Sequence, residues 1–71
     1  MPKLPRVSGA QACKALEKLG FYKVRQSGSH VIVRKGAKGC VIPMHAELKV
    51  GTLAGLLRQA EVTPEAFMAA L

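Results

Sequence analysis

Apolar positions near the start of the chain recur at helical spacing. Ala12, Leu16 and Leu19 are separated by four and three residues, so they share one face of a helix, with Cys13 beside it. Ser8 and Gln11 stand at the N-cap and N3 positions of a capping box, and Gly20 follows the last apolar position, so the pattern predicts a helix over 8–19. Lys14 and Lys18 lie one turn apart on another face, open to solvent or phosphate. The period then changes. Segments 21–26, 30–35 and 40–44 read as strands, broken by Ser27-Gly28-Ser29 and by Gly36-Ala37-Lys38-Gly39. Both breaks are short enough for hairpin loops, which makes the three runs an antiparallel meander. Pro43 lacks a backbone donor and places the end of the third strand at a sheet edge or a bulge. Leu53, Leu56, Leu57 and Ala60 then fall at i, i+3, i+4 and i+7 of an amphipathic helix that begins near 50–52. Thr63 and Pro64 fit the N-cap and N1 of a last short helix carrying Phe67 and Leu71, with Glu65 in its first turn.

The order helix, strand, strand, strand, helix, with a short C-terminal helix, predicts an α+β fold forming a single domain over 1–71. Each element has one apolar side, so the economical packing is two helices on one face of a three-stranded antiparallel sheet. Val31 and Val33 belong to the covered face, because the opposite choice would bury His30 and Arg34; Val24 is expected to join them from the first strand. The open face then carries His30 and Arg34.

Charge turns this fold towards a class of partner. The chain has 71 residues, 49% hydrophobic and 21% charged, a composition that folds but leaves a small core. Eleven Lys and Arg against four Asp and Glu give +7, and the excess is lopsided: residues 1–38 carry +8 and residues 39–71 carry −1. Nucleic acid, an anionic membrane or an acidic protein would be drawn to the first half. The opening Met1-Pro2-Lys3-Leu4-Pro5-Arg6 lacks the apolar core of a signal peptide, and no run approaches the roughly 18 apolar residues of a membrane span, so a cytoplasmic protein is expected, with its two cysteines as free thiols. Cys13 and Cys40, with His30 and His45, match no familiar zinc spacing, so no metal is expected there.

Four short segments carry a family likeness: Gly20-Phe21 after the first helix, Gly28-Ser29-His30 opening the second strand, Pro43-Met44-His45 closing the third, and Gly51-Thr52-Leu53 opening the next helix. Together they resemble the HicA toxin family, over nearly the whole chain. The resemblance implies a fold similar to a double-stranded-RNA-binding domain and a small ribonuclease of a toxin–antitoxin pair. It also implies cleavage of mRNA with the histidine of Gly-Ser-His catalytic, no metal cofactor, and neutralisation by a HicB antitoxin.

The chemistry of His30 is compatible with that implication. Cleaving RNA without a metal means attack by a ribose 2′-hydroxyl on the neighbouring phosphorus, with one proton removed and another delivered. An imidazole, with an ordinary pKa of about 6.5, can do either near neutral pH. Gly28 would let the loop backbone approach a phosphate, and Ser29 offers a hydroxyl beside it. Lys23, Arg25, Arg34 and Lys35 lie on the same hairpin and could hold the RNA backbone, and Arg34, on the side of His30, could also stabilise a phosphorane-like transition state. His45 reads as a structural or loop residue, with catalytic support as a second histidine as its alternative. Tyr22 and Phe21 could stack on bases, although at least one of them is expected in the core. The rival to an enzyme is a non-catalytic RNA-binding module of the same fold.

Overall fold

A computed structural model describes residues 4–71; Met1, Pro2 and Lys3, included above in the search for a signal segment, lie outside the described residues. Helix α1 (Gly9–Lys18) starts from the expected capping box, in which Ser8 Oγ accepts from the Gln11 amide at 3.1 Å and Gln11 Oε1 accepts from the Ser8 amide at 2.9 Å. Gly20 follows with φ of +101°, a conformation natural to glycine that turns the chain into the sheet. Strands β1 (Tyr22–Ser27), β2 (His30–Lys35) and β3 (Lys38–Pro43) form an antiparallel sheet in the order β1-β2-β3. Two helices, α2 (Val50–Ala60) and α3 (Pro64–Ala70), complete the α+β fold, the second capped by Thr63 Oγ1.

Both hairpin loops contain two residues. Gly28 and Gly36 occupy the first loop position with φ of +58° and +62°, and neither following residue has positive φ, the pattern of a type II′ turn. The second loop is therefore Gly36-Ala37 alone. Lys38 and Gly39, expected in the loop, begin β3 instead, and Pro43 is its last residue on an edge strand.

The core lies on one side of the sheet. Val31, Val33, Cys40 and Ile42 are buried beneath the helices, together with Ala12, Ala15 and Leu16 of α1 and Leu53, Leu56, Leu57 and Ala60 of α2. Phe67 of α3 is 0% exposed, so the C-terminal helix is a full member of the core. Leu48 and Val7, in segments that pattern alone leaves as loops, are also buried and are joined by a hydrogen bond from the Leu48 amide to the Val7 carbonyl at 2.7 Å.

The expectation for Val24 is overturned: it is 49% exposed. The register shifts between Lys23 and Arg25, which pair with Val33 and Ile32, so Val24 is the extra residue of a β-bulge and has no partner of its own. All of β1 is exposed, because the helices pack chiefly on β3, at the opposite edge of the sheet.

Candidate functional site

The register arranges one side of the sheet in rows. Ser27, His30 and Pro43 make the first row, Arg25, Ile32 and Val41 the second, and Tyr22, Arg34 and Gly39 the third. Directly opposed residues of antiparallel strands point to the same side. This is the side away from the helices, since the intervening pairs Val31–Ile42 and Val33–Cys40 are buried. With a rise of about 3.4 Å per residue, successive rows are about 7 Å apart along β2. Arg25 therefore lies one row from His30, and Arg34 two.

His30 is exposed at the mouth of the Gly28-Ser29 turn. A Cβ on Gly28 would meet nothing within 4 Å, so the space above this turn is open to a ligand. The other side of the site is pinned by backbone. The Met44 amide donates to the Ser29 carbonyl at 2.6 Å, and the Gly9 amide donates to the His45 carbonyl at 2.9 Å. Gly9 is packed so closely that a Cβ there would lie 2.2 Å from the Pro43 carbonyl oxygen and 2.7 Å from Met44 Cα. The start of α1, the turn after β3 and the His30 hairpin are thus gathered at one end of the sheet, with His45 exposed among them. The close seating of Gly9 is invisible to pattern reading, because the residues it touches are more than thirty positions away.

The other basic candidates divide between the two faces. Arg25 and Arg34 share the face of His30. Lys23 pairs with Val33 and lines a groove of about 690 Å³ beside α1, whose floor includes Val31, Val33 and Phe21. Lys35, on the helix side of β2, donates from Nζ to the Leu19 carbonyl at 2.8 Å and so caps the end of α1 rather than facing the histidine. Of the two aromatics, Phe21 is buried in the core and Tyr22 is 57% exposed in the row of Arg34.

Neither thiol is poised for chemistry. Burial pushes the Cys13 thiol up, assisted by Glu17 and opposed by Lys23. Burial, and then the neighbouring Cys13, pushes Cys40 up to about 11. Both are protonated at neutral pH, and Cys13 Sγ rests 3.8 Å from Met44 Sδ. Among the described residues, no group of three or more His, Cys, Asp or Glu comes together to hold a metal ion.

A family model described as the HicA toxin of bacterial toxin–antitoxin matches residues 9–62. The chain belongs to the HicA toxin family. The match begins at Gly9, the residue seated against Pro43 and Met44, and takes in all three strands, both hairpin turns and α2. It ends before α3. A comparison with curated proteins finds no match. As a HicA toxin the protein is one component of a toxin–antitoxin system, which implies an antitoxin partner. None of the described helices is long and apolar enough to cross a membrane.

Proposed function

We propose that this HicA protein is a metal-independent endoribonuclease that cleaves mRNA and so stops translation, with a HicB-type antitoxin as the partner that silences it. One observation carries the reading: an exposed imidazole, His30, stands at an open glycine turn on a sheet face whose other charged side chains are Arg25 and Arg34. In this mechanism His30 takes the proton of a ribose 2′-hydroxyl as its oxygen attacks the adjacent phosphorus. The bond to the 5′-oxygen breaks, and that oxygen leaves with a proton, giving a 2′,3′-cyclic phosphate and a 5′-hydroxyl end. Arg25, one row away, is the nearer cation for the charge that builds on the phosphoryl oxygens, and Arg34 holds the strand further along. His45, at the same end of the sheet, is the candidate donor to the leaving oxygen, with the Ser29 hydroxyl beside the turn. The face carries no carboxylate, so it has no hard anionic ligands of the kind Mg²⁺ requires.

The test is turnover of an end-labelled mRNA fragment by sub-stoichiometric protein. Wild type should shorten it, and His30→Ala should melt like wild type and leave it intact. Cleavage by the folded mutant at the wild-type rate would end the assignment of His30. RNA that is shifted in a gel but never shortened would make the protein a binding module instead.

A further inference from the structure

We propose that Tyr22 is a stacking platform for an unpaired base, so that the ligand of the open sheet face is single-stranded RNA running from His30 towards Tyr22. The inference rests on the reading of His30 as the cleavage site and names which form of RNA that site takes. Tyr22 is the only tyrosine of a chain without tryptophan, and it is 57% exposed although its neighbour Phe21 is buried. Its row also holds Arg34, the next row holds Arg25, and His30 closes the series about 14 Å away along β2. An extended strand covers that separation in a few nucleotides.

The rest of the face favours the same occupant. Ile32 is half-buried and Val41 is 42% exposed, so the middle of the face is an apolar floor flanked by cations. Arg25 and Arg34 are the charged side chains of this face, and no acid stands anywhere between residues 21 and 43. A single strand presents both groups that such a surface complements, phosphates for the guanidinium groups and exposed π-faces for the ring. A duplex presents phosphates, 2′-hydroxyls and base edges but no free base face, since its bases are stacked on one another, and would leave the Tyr22 ring without a stacking partner.

The experiment uses the full chain carrying His30→Ala, so that RNA stays intact, with Tyr22→Trp as a reporter excited where nucleic acid absorbs little. Titration with an unstructured single-stranded oligoribonucleotide should quench the indole; the same oligonucleotide annealed to its complement should not. In the His30→Ala background, Tyr22→Ala should weaken single-strand binding by about 5- to 100-fold, the usual cost of losing one stacked base, and Tyr22→Phe should restore it. Melting temperatures should not change, because the ring is outside the core. An unquenched indole, or single-strand binding unaffected by Tyr22→Ala, would overturn the stacking role while cleavage by the His30 protein stood. Absence of RNA binding and cleavage in the wild-type chain would instead remove the underlying reading, and quenching by a purified antitoxin alone would assign the face to protein docking.

Discussion

Gly9→Ala is the sharpest test of how the candidate site is assembled. The added Cβ would sit 2.2 Å from the Pro43 carbonyl oxygen, where ordinary contact begins near 3.4 Å, and the obstacle is backbone rather than a flexible side chain. The first turn of α1 must therefore back away by about 1 Å or the Pro43-Met44 segment must move, an overpacking cost of about 1–3 kcal/mol. The same movement stretches the 2.9 Å bond from the Gly9 amide to His45, worth about 1 kcal/mol. Alanine recovers about 1 kcal/mol of this through its helix propensity, leaving a net loss of about 1–3 kcal/mol. For a domain of this size that lowers the melting temperature by roughly 5–20 °C. Gly55→Ala is the internal control. It makes the same chemical change inside α2, where the new Cβ meets nothing within 4 Å, and should raise stability by about 0.5–1 kcal/mol. Thermal unfolding followed by circular dichroism at 222 nm reads both. Melting of Gly9→Ala within about 3 °C of wild type, or a loss at Gly55 equal to that at Gly9, would refute the account of α1 seated on the turn after β3.

Cleavage should survive EDTA, and activity lost on chelation and restored by a divalent ion would overturn the metal-free mechanism. Reversing Arg25 and Arg34 to Glu should weaken RNA binding at least ten-fold in a gel-shift titration and flatten its salt dependence, whereas reversing Lys18, at the end of α1, should change neither much; equal effects would show that the charge acts diffusely. Cys40 ionises at about 11 when folded, against 9.0 as its ordinary value, so the unfolded chain loses that proton first and stability should fall as pH rises from about 9 to 11. Cys40→Ala should show a shallower alkaline decline in melting temperature, and an unchanged decline would dissociate it from this thiol.

Much of the fold was legible because local signals agreed with one another. The Ser8–Gln11 box, the two glycine turns and the spacing of Leu53, Leu56 and Leu57 each point to the element that forms. The placement of His30 and Arg34 followed from burying Val31 and Val33, since the period of a strand is two. The failure at Val24 has the same root. One bulged residue reverses the alternation, and nothing in Tyr22-Lys23-Val24-Arg25 announces it, because the bulge lies on a strand that no helix covers and where no burial enforces the pattern. That reversal decided which side chains accompany the histidine and Arg25, sending Lys23 to the other face and bringing Tyr22 to theirs. The anchoring of Lys35 to the Leu19 carbonyl and the seating of Gly9 were likewise tertiary facts without a local signature.

The one-sided construction of the fold explains how so small a chain can leave a whole sheet face open. Its buried residues, from Val7 to Ala70, meet on the helix side of the sheet, so the opposite face contributes little to holding the chain together. Arginine, histidine and an exposed tyrosine can stand there without the desolvation that a second covering layer would impose. The two sides meet at the end where the Met44 amide bonds to Ser29, beside His30, and the Gly9 amide bonds to His45. Substitutions on the face should therefore change what the protein binds and cleaves, and substitutions in the core should change whether it folds. At that shared end a single residue should alter both, which is why Gly9, itself without a side chain, belongs in the same set of variants as His30.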